Sequence, residues 1–160
     1  MSKPIQILVV SDNHGRQEPI EQLKRLYPNI DYKFHLGDSE MQKEYLDGFA
    51  CVQGNNDPYG EYPSSLTLNI GGHTLLLIHG HRHLLFHDPS PLIMNAKQFG
   101  CDVVLYGHTH VYHDTVIDNI RFLNPGSIGR NRDGSMPGYM LVTIKEDGSI
   151  TAVRKDYIRQ

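Results

Sequence analysis

Seven side chains of metal-ligating type fall in five short motifs along this 160-residue chain. Asp12 and His14 lie in Ser-Asp-Asn-His-Gly, Asp38 in Leu-Gly-Asp, and Asn55 in Gly-Asn-Asn-Asp. His79 lies in Ile-His-Gly, and His108 and His110 in Gly-His-Thr-His. A mixed set of carboxylate, carboxamide and imidazole donors suits two divalent cations better than one. Paired cations activate water and hold a phosphoryl group for in-line attack.

Taken singly, most of these motifs are weak. An Asp-x-His pair in a loop is more often a turn former than a metal site. Asp38 after a strand could cap a following helix, and Asn55 read alone is a turn asparagine. The His108-x-His110 pair is stronger, because alternate residues of an extended segment share one side while their rings diverge enough to serve neighbouring ions. Three histidines buried beside carboxylates each need partners for both ring nitrogens, which metal supplies. A carboxylate with two oxygens can bridge two cations, and Asp38 is the expected bridge. The ordered set leaves a purely structural reading a small share.

The elements that must position these residues can be read from hydrophobic patterning. Residues 5–10 read as a buried strand ending at Ser11-Asp12. Ile20, Leu23 and Leu26 recur at three-residue steps and predict a helix over 17–27, stopped by Pro28. Strands are expected at 32–36 and 49–52, with a short helix at 40–47 between them. Residues 66–70 and 74–78 flank Gly71-Gly72 as a β-hairpin. Ser90 reads as an N-cap with Pro91 at the first helical position, opening a helix that runs to about Phe99 before Gly100. Residues 103–106 form a further strand. The last third reads as antiparallel strands at about 112–117, 120–123, 138–144 and 149–155, with Asp147-Gly148 as the final turn. Strand–helix alternation followed by strands predicts layered α/β with mixed sheets. Each polar motif follows a strand. In open α/β sheets ligands bind beyond the carboxyl ends of strands, so five strand ends can converge on one site.

Bulk composition sets limits. The length fits a single domain, residues 1–160, with a substantial core. A net charge of −3 argues against stable nucleic-acid binding, which needs clustered Lys and Arg. Only the local stretch Arg130 to Arg132 could meet a phosphate or steer an anion, and a solvated loop is its plainer reading. Cys51 and Cys101 match no disulfide or zinc pattern and read as small buried hydrophobes. The apolar runs are too short for a bilayer, and the N-terminus carries no basic region with a long apolar core. The expected location is therefore the cytoplasm, with no membrane partner.

In order, Asp-x-His, Gly-Asp, Gly-Asn-x-Asp, His-Gly and Gly-His-Thr-His resemble the calcineurin-like metallophosphoesterase superfamily. The short length and the segment Asn124-Pro125-Gly126-Ser127 resemble its small bacterial and archaeal phosphodiesterase branch. The resemblance implies a four-layer α-β-β-α sandwich of two mixed sheets with flanking helices. It implies one ion held by Asp12, His14, Asp38 and His110, and another by Asp38, Asn55, His79 and His108. Manganese is the favoured metal, with Fe, Zn, Ni or Co as other occupants. The implied function is a metal-dependent phosphodiesterase acting on small phosphate esters, nucleotide-like ones among the candidates. Cations about 3.5–4 Å apart would lower the pKa of a bridging water, and the resulting hydroxide would attack phosphorus in line with the leaving group. A non-catalytic, metal-bound scaffold of the same fold is the alternative. Relatives occur as monomers and small homo-oligomers, so a homo-oligomer is open.

Asp38 and Asn55 are expected to serve catalysis as metal ligands, and two further positions, Asn56 and His81, are expected to act on substrate. Many members of the superfamily carry histidine after the metal-binding asparagine, where it contacts the phosphate and protonates the leaving group; here that residue is Asn56. A carboxamide can donate a hydrogen bond but delivers no proton at neutral pH. His81, two residues beyond His79, either lines the site or donates a proton. Gly126 and Ser127 are expected to approach the site. His35 is expected to be packed in its strand, His83 and His87 to lie in a solvated loop, and His73 and His113 to be structural or exposed.

Overall fold

The computed structural model describes residues 3–84 and 88–160. Among these, ten strands form two five-stranded sheets. The first contains β1 (Ile5–Val10), β2 (Tyr32–His35), β3 (Ala50–Cys51), β9 (Gly138–Ile144) and β10 (Ile150–Asp156), in the order β10-β9-β1-β2-β3. Strands β1, β2 and β3 run parallel, while β9 and β10 add antiparallel. The second sheet contains β4 (Ser65–Ile70), β5 (His73–Ile78), β6 (Val103–Tyr106), β7 (Tyr112–Ile117) and β8 (Ile120–Pro125), in the order β4-β5-β6-β8-β7. Here β5, β6 and β8 are parallel and the two edge strands antiparallel.

The sheets pack face to face through Ile7, Val9, Phe34 and Leu36 on one side and Leu75, Leu77, Val103 and Leu105 on the other. Because both faces of each sheet are covered, the central strands read as continuous apolar runs rather than alternating ones. Helix α1 (Gln17–Leu26) covers the outer face of the first sheet, packing Ile20 and Leu23 on Leu8 and Val10. Burying each of those two side chains is worth ~1.5–3 kcal/mol. Helix α2 (Ser90–Gln98) covers the second sheet with Leu92 and Ala96 against Leu76 and Val104. The result is the expected four-layer α-β-β-α sandwich.

Several local expectations need correction. The stripe of α1 ends at Leu23, since Leu26 is exposed and the helix stops before Tyr27. The helix expected at 40–47 is only a 3-10 turn at Lys43–Leu46, and the third strand shrinks to two residues. Ser90 is the first helical residue rather than the cap, which falls on Pro89; the Ser90 N–H donates to the Asp88 carboxylate, one residue before the cap. Cys51 and Cys101 are free and buried, and burial pushes the Cys51 thiol up to about 12, so it is inert at neutral pH. No helix of the described residues is long and apolar enough to cross a membrane.

Candidate metal centre

The carboxyl ends of β1, β2, β3, β5 and β6 open along one edge of the sandwich. The turns that follow carry all seven predicted ligands. Five of these residues, Asp12, His14, Asp38, His108 and His110, have positive φ between 46° and 70°. Non-glycine residues rarely adopt that conformation, and its concentration at one site marks backbone held there by the surrounding structure.

Close packing of the turns requires glycine next to the ligands. A Cβ on Gly54 would fall on Asp38 Oδ1 and the Asp38 backbone nitrogen. One on Gly107 would fall on Ser11 Oγ and press Asp12 Oδ2. The glycines of Gly-Asn-Asn-Asp and Gly-His-Thr-His are therefore the space that lets one turn lie on the next.

The donors meet in two clusters, Asp12–His14–His110 and Asp12–Asp38–His79. His110 Nε2 lies 3.3 Å from Asp12 Oδ1 and His14 Nε2 3.7 Å from it. His79 Nε2 lies 3.3 Å from Asp38 Oδ2 and 3.8 Å from Asp12 Oδ1. Asn55 Oδ1 is 3.0 Å from His79 Nε2. His108 stands beside this second group, its ring 5.2 Å from that of His79, and its backbone N–H donates to Asp12 Oδ2. Both carboxylates lie between the two halves: Asp12 belongs to each cluster, and Asp38 Oδ2 is also 3.9 Å from His14 Nε2.

Hydrogen bonds behind the rings fix which nitrogen faces inward. His79 Nδ1 donates to the Leu36 carbonyl at 2.7 Å and His110 Nδ1 to the Arg130 carbonyl at 2.9 Å. His14 Nδ1 faces the Glu40 carboxylate at 3.2 Å. Each outer partner is an acceptor only, so Nδ1 carries the hydrogen and Nε2 presents a lone pair to the centre. Yet His14 Nε2 and His110 Nε2 stand 3.0 Å apart, and buried Asp12 Oδ1 has no hydrogen-bond partner. Lone pairs and carboxylate oxygens converge where only positive charge can reconcile them. The donor set therefore fits divalent cations.

The electrostatics agree. Burial works to raise the Asp12 pKa, but His110, His79 and Ser11 hold it below the ordinary carboxylate value. Burial likewise opposes ionisation of Asp38, and His79 with the Asn56 amide groups drives its pKa well below that range. Both carboxylates are thus available as anionic ligands.

The residues expected to act on substrate lie close by. Asn56 donates from its backbone N–H to Asp38 Oδ1 at 2.8 Å and from Nδ2 to Asp38 Oδ2 at 3.0 Å. The His81 ring is 5.4 Å from His79 and 6.2 Å from His108, with Nδ1 buried and unpartnered. Burial first, then the neighbouring His79, Arg82 and His108, lowers its pKa to about 4, which favours the neutral ring near pH 7. Ser127 Oγ donates to the Asp12 carbonyl at 2.7 Å. His73 is tied to Asp102 and the Gly148 carbonyl, His113 to the Tyr106 hydroxyl, and His83 is half-buried. His87 lies outside the described residues.

Sequence reading missed the residues that hold the ligand turns. Asp57 accepts hydrogen bonds from the backbone N–H groups of Asp38, Gly54 and Glu40. Buried His35 accepts from the Gly37 N–H at Nδ1 and donates from Nε2 to Asn13 Oδ1, joining the first two turns. Only Asp57, as the closing residue of Gly-Asn-Asn-Asp, left a signal in the sequence.

A sandwich of two mixed sheets with imidazole and carboxylate donors gathered at one edge defines a metal-dependent phosphoesterase, and the chain belongs to the calcineurin-like phosphoesterase superfamily, whose domain model matches residues 5–147. It is 32% identical over 146 residues to the probable metallophosphoesterase YsnB of Bacillus subtilis, covering 89% of this chain and 86% of that protein. A predicted phosphoesterase from Streptococcus pneumoniae superposes with a TM-score of 0.82 at 28% identity, covering 97% of this chain and 100% of the other. The Vps29 protein of Entamoeba histolytica, solved with Zn²⁺, superposes with a TM-score of 0.74 at 26% identity, covering 95% and 99%.

Proposed function

We propose that this protein is a phosphodiesterase that uses two divalent cations, Mn²⁺ foremost, to hydrolyse small phosphate diesters. The observation that carries this reading is the convergence of inward-facing acceptors, with His14 Nε2 3.0 Å from His110 Nε2 and Asp12 Oδ1 buried without a partner. Bound there, paired divalent cations supply water of lowered pKa and neutralise charge on the phosphoryl oxygens. The chain's own contribution is to hold the donors. Leu36, Arg130 and Glu40 fix three imidazoles in the ligating tautomer, and Asn56 orients both oxygens of Asp38.

The proton balance favours good leaving groups. Asn56 is committed to Asp38 and has no acidic proton, and His81 is neutral at pH 7. Substrates whose leaving alcohol departs without protonation should react fastest. The test is hydrolysis of bis(p-nitrophenyl) phosphate and p-nitrophenyl phosphate by metal-depleted protein titrated with Mn²⁺. Diester turnover should rise with metal uptake, saturate at two equivalents and disappear in Asp38→Ala. Two bound ions without turnover of either ester would instead support the scaffold reading.

A further inference from the structure

A depression of about 590 Å³ opens directly beside His14 and His110. Its other lining residues are Asn13, Arg16, Gly129, Arg130, Asn131 and Arg132. Three of the eight residues are arginines and none is a carboxylate, in a chain of net charge −3. Among the described residues, none of the three arginines forms an ion pair; of the five elsewhere, Arg121, Arg154 and Arg159 do, and Arg25 and Arg82 do not. Unneutralised guanidinium groups gathered at one depression are a binding surface for anions, phosphate above all, because the planar fork matches phosphate oxygens.

The arginines are set on a built frame rather than a loose loop. Ser127 and Asn131 are buried polar residues that bond to this segment. Ser127 Oγ accepts from the backbone N–H groups of Gly129 and Arg130 at 2.9 and 2.8 Å. Asn131 Oδ1 accepts from the Ser127 N–H at 2.7 Å, and its Nδ2 donates to the Met136 carbonyl at 2.6 Å. The Arg132 N–H donates to the His110 carbonyl at 3.1 Å, and the Arg130 carbonyl accepts from His110 Nδ1. Arg16 arrives from the other side, its guanidinium donating to the Gly129 carbonyl at 3.4 Å. Two of the arginines are thus bonded through the main chain to His110, one of the predicted metal ligands.

We propose that this depression is a subsite for a second phosphoryl group on the substrate, bound by Arg16, Arg130 and Arg132. The proposal rests on the phosphodiesterase reading and narrows it: the preferred substrate is a small diester carrying an additional phosphate, and the arginines determine specificity.

The test uses a matched pair, thymidine 5′-(p-nitrophenyl phosphate) and the same compound bearing a 3′-phosphate, with the Mn²⁺-loaded protein. The wild type should favour the 3′-phosphorylated compound by about tenfold or more in kcat/KM, the range of one charge-assisted hydrogen bond in the open. The double variant Arg130→Gln/Arg132→Gln should erase the ratio, and Arg130→Lys/Arg132→Lys should retain part of it. Calorimetry supplies a readout without turnover. Thymidine 3′,5′-bisphosphate should bind more tightly than thymidine 5′-phosphate, with and without Mn²⁺, and the Gln variant should lose that difference. Equal wild-type turnover of the two esters overturns the proposal, as does a Gln variant that loses both activities in the same proportion. If neither ester is hydrolysed with any divalent metal, the phosphodiesterase reading fails, while the calorimetric difference still decides the subsite.

Discussion

Replacing Asp57 by Asn should loosen the metal centre without touching a ligand. Asp57 is buried, and its Oδ2 accepts from the Asp38 and Gly54 N–H groups, both at 2.9 Å, while Oδ1 accepts from the Glu40 N–H at 3.0 Å. An Asn whose carbonyl takes the Oδ2 position keeps two of these bonds in weakened, uncharged form. Its NH₂ group then faces the Glu40 N–H, donor against donor. Losing one charge-assisted bond costs ~1.5–3 kcal/mol, and weakening the other two brings the expected loss to roughly 2–4 kcal/mol. Because the bonds set where Asp38 and the turn bearing Asn55 sit, Mn²⁺ affinity should also fall by ~10–100-fold, as for other outer-sphere partners of metal ligands. Urea denaturation of metal-free protein measures the first effect and calorimetric Mn²⁺ titration the second. An unfolding free energy within ~0.5 kcal/mol of wild type, the level of an ordinary surface substitution, with unchanged Mn²⁺ affinity would refute the reasoning.

Gly54→Ala should abolish diester hydrolysis and weaken metal uptake, since its methyl group would displace Asp38; near-wild-type Mn²⁺ stoichiometry and turnover would count against the packing described. Burial lowers the His35 pKa from the ordinary 6.5 to about 4 against the pull of Asp12 and Asp57, so the unfolded chain binds the proton more readily. Stability should then fall as pH drops from about 6.5 toward 4, by on the order of 3 kcal/mol, and urea midpoints of metal-free protein should show His35→Gln flattening that slope. Rates for a series of aryl phosphodiesters should decline steeply as the leaving phenol becomes less acidic, and Asn56→His should make the decline shallower. A slope that Asn56→His leaves unchanged would show that the position does not govern leaving-group protonation.

The strands and the ligand set were legible because each has a local signature. Runs such as Ile7–Val10 and Leu75–Ile78 are apolar on both faces, as buried strands must be, and each ligand motif follows a strand within a few residues. What could not be read depends on distant partners. The 3-10 turn at Lys43–Leu46 and the start of α2 one residue early, at Ser90, are local choices among near-equal alternatives. Bonds such as His35 to Asn13, Ser127 to the Asp12 carbonyl and Asn131 to the Ser127 N–H join turns that the sheets bring together. Hydrophobic periodicity carries no record of them. The arginine-lined depression is a similar case: Arg130 and Arg132 stood out as a basic stretch, but Arg16 joins them only through the fold.

The donors are divided between the two sheets, with Asp12, His14, Asp38 and Asn55 following strands of one and His79, His108 and His110 following strands of the other. Any ion shared among them is therefore a rivet through two plates. Chelation should release the plates at that end first, with hydrogen exchange rising in the five turns before the sheet interior. Free metal should add stability in proportion to RT ln(1 + [M]/Kd), so the chain's resistance to heat reports the supply of its cation.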